Sequence, residues 1–568
     1  MKFKFSKKGI LIFLAIVVLF LVLRLPALHQ PYHQDEYKWV SFFGSGEESV
    51  GVIPHPPLAE FVYSKLGPVV GENNFRAIPL IFSLLNLLLL FYLAKIIFDY
   101  RTAYGTILLF TVSFFSVLAS LMVDVDGAVM PFFLLLLSIG YFKIREVRDC
   151  LPAGKAGKLE IKEKWPWLVL LLVGALGGFL VKVSAVLPLL AFALDWAVEQ
   201  GAFRNKQRLF AYGLKIILAA AVLINVLLIS KLFFPFFNVS SAIKYWEHFA
   251  DSSSFLNRGW LQTFIQFSKA VLYSSPLLLA PVIFTNQVLF RKLRPFYLFI
   301  FAGLVFYLVL FDFSIGALDR YLQFLIIPLC LIGGAIGVKV LDQGLIHRFK
   351  ILIISLAASL IFLIQFLPQN VSPLYPKTEW LQLLVSFHWN FLFPFTGGSG
   401  PLPFYISFAF IGLMWLFVLI LVLIAFVKVN LKTTVLLGIL ILGLVYNGVF
   451  IEEYLFGGIN GNAAKLVVNA TAFIKADQDI KMVTVYNDNG GYNVIQTGKY
   501  RKRLYIDPKF DVTEKLKTLN KYREHYLVVD IPHIDPNSVY AQYFNSCQVA
   551  YREQDKYISS TIYDCRKD

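Results

Sequence analysis

Charge is scarce in this sequence. Only 15% of its 568 residues are Asp, Glu, Lys or Arg, against about 25% in an average soluble domain. Cysteine is scarcer still, at four, which excludes a Cys-rich metal framework or a disulfide-dense secreted scaffold. There is no internal repeat, which argues against a transporter of inverted halves. No small-residue cleavage site follows the first apolar run, since Arg24-Leu25-Pro26 comes next; the run reads as a retained helix rather than a signal peptide.

Long hydrophobic runs are abundant. Residues 10–23, ILIFLAIVVLFLVL, form the first, 58% of the chain is hydrophobic, and mean hydropathy is +0.66. Several segments approach 20 residues without a charge, about the length that crosses a 30 Å hydrocarbon core. Backbone groups in lipid must bond internally, so the spans are helices; the two-residue alternation of a membrane barrel is absent. The expected fold is an all-α polytopic membrane protein with about thirteen spans. They lie near 9–25, 77–98, 103–122, 127–142, 166–181, 184–199, up to 233, up to 290, up to 312, from 320, 350–367, 403–426 and 433–450.

Net charge is +16, but the Lys and Arg residues gather in short loops between spans, which is the positive-inside pattern and not a nucleic-acid surface. The most basic loop carries Lys143, Arg145, Arg148, Lys155, Lys158, Lys162 and Lys164. The basic loops agree on one orientation. It sets segments 26–76, 234–264 and 369–402 outside, and with them Asp35, Glu36, Asp124, Asp126, Asp312, Asp319 and Arg320. Ionisable groups at membrane depth are site candidates by default.

Beyond residue 450 the composition turns polar. Short β-like runs (MVTVY at 482–486, YLVVDI at 526–531) alternate with helical stretches such as VTEKLKTLN at 512–520. This predicts a membrane domain over 1–450 and a small α/β domain over 451–568 on the outer side. A turn near Glu553–Lys556 would set Cys547 opposite Cys565, close enough for a disulfide in an oxidising compartment.

The outer segments carry an ordered set: HQDEYKWV (33–40), IPHPPLAEF (53–61), GENNFRAIPL (71–80), MVDVDGAVMPFF (122–133) and ALDRYLQFLIIP (317–328). In this order they resemble the membrane-embedded GT-C glycosyltransferases, above all the branch of protein O-mannosyltransferases and lipid A aminoarabinose transferases. That family has an Asp-Glu pair after the first helix, a (His/Lys)-Pro-Pro-Leu-like segment, an Arg-x-x-Pro-like start to the second helix, an Asp opening the fourth and an Arg-Tyr pair opening a late one. The resemblance covers about the first 140 residues well, 166–340 loosely and little of 369–568. His55 stands where the aminoarabinose transferases have Lys, and imidazole is charged only near or below a pKa of about 6.5.

The resemblance implies transfer of a sugar, with inversion, from a polyprenyl phosphate to an acceptor hydroxyl of a protein, lipid or glycan at the outer membrane surface. Asp35 is then the base that takes the acceptor's proton. Glu36, its immediate neighbour, points elsewhere, toward a structural or metal partner, and Asp126 stands nearby. His55, Arg76, Lys182 and Arg320 are the candidates to hold the phosphate, Arg being the better bidentate ligand; Tyr321 completes the Arg-Tyr pair. Asp35, Glu36, Asp124 and Asp126 would suit Mg²⁺ or Mn²⁺, but the Trp-Trp-Asp-Tyr-Gly signature of the metal-using oligosaccharyltransferases is absent, so no cofactor is expected. Two other readings are a flippase or transporter of lipid-linked sugars and a surface-polysaccharide polymerase or ligase. The late segment 369–402 offers His388 and no Arg, which weighs against the polymerase.

Overall fold

The computed structural model describes residues 7–32, 35–43, 55–150, 158–234, 259–312, 318–343, 347–371, 377–395, 402–486, 491–504, 526–529 and 544–565, with isolated residues between 237 and 247 and at 517 and 541. Among them, eleven helices are long and apolar enough to cross a membrane, or twelve if one bent pair counts as a span. The all-α polytopic class is therefore as read from the sequence. The difference from thirteen has two sources. The third expected span is broken into α5 (Tyr100–Val112) and α6 (Phe114–Leu121), bent by 68°. The sixth is α9 (Val186–Glu199), whose 14 residues reach about 21 Å, short of the hydrocarbon thickness. Many helices turn large apolar side chains outward, among them Leu11, Phe210, Leu232, Phe301 and Leu360. A water-soluble protein covers that surface with polar groups.

The chain divides into two compact units. The first comprises residues 1–28 and 39–345, the second 29–38 and 346–568. In the first, α1 (Lys7–Val22) packs on α5, α4 (Ala77–Ile97) on α5 and α7 (Met130–Cys150), and α7 on α8 (Lys158–Val181). The α7–α8 contact is backbone to backbone: a Cβ added at Gly174 would lie 2.3 Å from the Leu137 nitrogen. Small residues permit such approach where lipid supplies no hydrophobic drive between helices. At the end expected to face inward, buried Asp195 of α9 accepts bonds from Tyr141 Oη (2.5 Å) and Arg294 Nε, while Glu199 takes Arg145 (2.6 Å) and Arg148 (3.1 Å). This cluster ties α7, α9 and the helix Gln287–Val305 together.

The break between α5 and α6 has a chemical solution. It contains neither Pro nor Gly: Ser113 is extended (φ −72°, ψ 125°) and leaves the last carbonyls of α5 without helical partners. Arg24, fully buried, fills the gap. Its guanidinium donates to the carbonyls of Thr111 (3.1 Å), Phe110 (3.4 Å) and Phe20 (3.2 Å) and to the hydroxyls of Ser120 (3.0 Å) and Ser116 (3.1 Å). A cation at a helix C-terminus also meets the negative end of the helix dipole. Arg24→Ala should cost on the order of 3 kcal/mol or more through the orphaned carbonyls, and Lys, a point charge without the fork, should recover only part. Thermal unfolding in detergent checks this; unchanged unfolding temperatures would remove the cap from the stability of the fold.

The second unit contains the helices Arg348–Leu363, Phe408–Val427 and Lys432–Leu455. Beside them lies a three-stranded sheet, β1 (Asn370–Val371), β2 (Phe391–Phe395) and β3 (Phe404–Ser407), in which buried Phe391 stacks on Phe408 and Phe395 meets Phe450 edge to face. Its α/β part is a mixed sheet ordered β5-β4-β6-β8-β7, with the helix Ala463–Ala476 against it; the strands are β4 (Val483–Tyr486), β5 (Tyr500–Leu504), β6 (Tyr526–Val529), β7 (Gln548–Asp555) and β8 (Ile558–Asp564). β7 and β8 form an antiparallel hairpin whose register sets Gln548 opposite Asp564. The residues just outside that pair, Cys547 and Cys565, are joined in a disulfide, as the spacing predicted.

Candidate active site

The site is built on a turn. After α6 the chain passes through Asp124, whose Oδ1 accepts from the Val125 amide (2.6 Å) and so caps the wide π-type turn Val125–Val129 that leads into α7. Gly127 is required there: a Cβ would sit 2.4 Å from the Ala119 carbonyl and 2.9 Å from its Cα. Arg76, at the start of α4, donates to the Leu121 carbonyl (2.7 Å) and covers the end of α6 much as Arg24 covers the end of α5.

Four buried charges meet at this turn. Lys182 Nζ lies 2.5 and 2.6 Å from the two Asp126 oxygens, and Arg320 Nη1 lies 2.5 Å from Asp124 Oδ2. Arg320 Nε is 4.0 Å from Asp126, which links the two pairs. Burial works against the ammonium of Lys182; Asp126, aided by Tyr307, Tyr321 and Asp124, outweighs it, so its pKa lies above the ordinary lysine value. Tyr321 completes the group. Its hydroxyl accepts from Arg320 (3.0 Å), Lys182 Nζ lies 4.4 Å over its ring, and it stacks on Tyr307 at 5.7 Å. Asp126, Tyr307, Tyr321, Ser184 and Phe299 line a pocket of about 10 Å³, room for about one water.

A second row of side chains leads to the same turn. His55, half-buried, stacks on Trp39 of α2 (Asp35–Phe43) at 5.7 Å. Trp39 packs on Tyr63 of α3 (Pro57–Val70) at 4.6 Å, and the Tyr63 hydroxyl donates to the Asp124 carbonyl (2.9 Å). His55 thus fits a stacked residue of a rigid Pro-Pro turn as well as a phosphate ligand.

The structure therefore brings together Asp126, Lys182, Arg320 and Tyr321, with Arg76 bonded to Leu121, three residues before Asp124. Asp35 and Glu36 open α2, Glu36 buried; the side chains of Asp35 and Asp319 lie outside the described residues. The expected phosphate ligands Lys182 and Arg320 are each engaged by an aspartate. By the same token Asp124 and Asp126 offer no open carboxylate pair to a divalent ion, and among the described residues no three His, Cys, Asp or Glu side chains gather as a metal site would need.

Glu60 had drawn no attention in the sequence. It lies in the first turn of α3, is only 8% exposed, and burial lifts its carboxyl from 4.5 to about 7. The folded chain keeps a proton that the unfolded chain loses between those values. The stability held by the neutral form is whole below about 4.5 and falls as pH rises toward 7.

With this geometry in hand, the fold can be compared. The structure superimposes on ArnT from Cupriavidus metallidurans in the apo state with a TM-score of 0.53, at 15% sequence identity, over 98% of this chain and 97% of that one. The chain shares the fold of that protein. The same protein bound to undecaprenyl phosphate gives 0.52 at 14% identity, over 98% of both chains. An oligosaccharyltransferase from Archaeoglobus fulgidus, tethered to an acceptor peptide, gives 0.46 at 11% identity over 92% of this chain and 69% of that one. No protein-family model and no curated protein matches the sequence. The shared fold is thus carried at an identity at which few side chains are shared, and the turn at Asp124–Asp126 has to be judged on its own chemistry.

Proposed function

We propose that this multi-pass membrane protein is a glycosyltransferase that moves a sugar from a polyprenyl phosphate to an acceptor hydroxyl at the extracytoplasmic face, inverting the anomeric centre. The observation that carries the reading is the buried Asp124–Arg320 and Asp126–Lys182 constellation at the turn between α6 and α7. The likeness in fold to ArnT over nearly the whole of both chains supports it. A donor whose tail stays in the bilayer presents its phosphate where helices end, and that is where these charges are spent. A structural role alone would be served more cheaply by apolar residues of similar size, since desolvating ion pairs costs as much as their attraction returns.

In the proposed step, the acceptor oxygen attacks the anomeric carbon as its O–H bond breaks. Asp35 takes the proton, and the bond from carbon to phosphate oxygen breaks with its electron pair going to the phosphate. Lys182 and Arg320 stabilise that developing charge, helped by Arg76 and His55. Glu36 holds the Asp35 end of α2, and Asp126 keeps Lys182 charged and oriented. No metal is assigned a part. The acceptor is a protein, lipid or glycan hydroxyl.

Membranes holding the protein, given a panel of labelled polyprenyl-phosphate sugars, should move label to an acceptor from one of them. Failure with every donor while the protein is folded would overturn the transferase reading in favour of a transporter or polymerase.

A further inference from the structure

Three buried acids in the first unit have identifiable cationic partners: Asp124 has Arg320, Asp126 has Lys182 and Asp195 has Arg294. Glu60 differs from these three. Among the described residues it makes no hydrogen bond and no ion pair, although it is 8% exposed. Its place is informative. Glu60, Tyr63 and Gly67 fall at i, i+3 and i+7, one stripe of α3. At Gly67 the stripe packs against the Phe43 carbonyl and the Phe75 ring, and at Tyr63 it holds the Asp124 carbonyl. Glu60 is therefore one turn from the residue that buttresses the charged cluster, and five residues after His55 in the same segment.

An acid in a first helical turn is commonly there for the helix dipole, a modest attraction that lowers its pKa. Here the shift runs the other way, so burial outweighs the dipole. A buried carboxyl with nothing bonded to it is costly. That cost is recovered when a ligand supplies the missing donor.

We propose that Glu60 is a substrate-contacting residue whose carboxyl is completed by a hydroxyl of the sugar donor or of the acceptor. This rests on the transferase reading above. A hydroxyl both donates and accepts, so it bonds the carboxyl in either protonation state, though more strongly as donor to the carboxylate.

The test is steady-state transfer by the full-length protein in membranes, wild type beside Glu60→Gln and Glu60→Ala. Donor and acceptor are varied in turn between pH 5.5 and 8.5. Glu60→Ala should raise KM for one substrate about tenfold, the loss of one such bond, with kcat within about threefold. The substrate whose KM moves identifies the source of the hydroxyl. Wild-type KM should inflect near pH 7 and that of Glu60→Gln, which keeps the shape, should be flat. Unchanged constants in folded Glu60→Ala would overturn the assignment and leave the transferase reading intact. So would a fall in kcat and unfolding temperature with KM unmoved, the mark of a packing role. A wild type inert toward every donor would overturn both.

Discussion

Asp35→Asn should leave the protein inserted and folded and reduce sugar transfer by about 10³-fold, within the range that a positioned general base supplies. The amide keeps the shape and the first-turn position in α2 but cannot accept the acceptor's proton. Donor KM should change little, because the base is asked to act on the acceptor. An ordinary Asp titrates near 3.9 and is a weak base at pH 7, so the proposed role requires partial burial or like charge to raise it. A pH–rate profile whose acidic limb disappears in the variant would locate that pKa. Activity within tenfold of wild type would take Asp35 out of the base role.

The second large effect concerns the ion pair. Lys182→Met should destabilise the protein by about 3 kcal/mol, because it leaves Asp126, 6% exposed, with only Arg320 at 4.0 Å, a cation already engaged by Asp124. Asp126→Asn alone should cost less, since a buried ammonium can shed its proton. The double variant should recover most of the stability but none of the activity. That split separates two roles. If the pair served packing alone, the double variant would regain transfer along with its melting temperature. A double variant as unstable as Lys182→Met would show that the two side chains do not act as a pair.

Much of the fold was legible from hydropathy alone, because a membrane leaves the chain few choices. The missed details are those in which side chains override the apolar count. Nothing in the run 103–122 marks Ser113 as a break by the usual signals; the hint lies in Thr111, Ser113, Ser116 and Ser120, hydroxyl-rich for a span. Arg24 looked like an ordinary flank of the first helix, yet four of its five bonds reach residues 86 to 96 positions away. The shortness of α9 was visible in the distance from Lys182 to Asp195, both charged and both buried. At the site, the sequence could collect Asp124, Asp126, Lys182 and Arg320 on one side of the membrane. It could not say who pairs with whom, since the partners lie 56 and 196 residues apart. Glu60 is not marked by the sequence, because burial of an acid in a first helical turn leaves no trace in spacing.

The charge balance at the turn bears on turnover. Asp124, Asp126, Lys182 and Arg320 sum to zero before anything binds. A phosphodiester donor brings one negative charge, and the phosphate left after transfer carries nearly two. A surplus of cations would hold that product more tightly with each added charge and slow its escape. Under the proposed reaction a self-neutralised quartet would do the opposite: it would receive a singly charged lipid by letting its aspartates share their cations, and would have less with which to retain the spent one. If the chain performs that reaction, the arrangement favours clearing the site over gripping it.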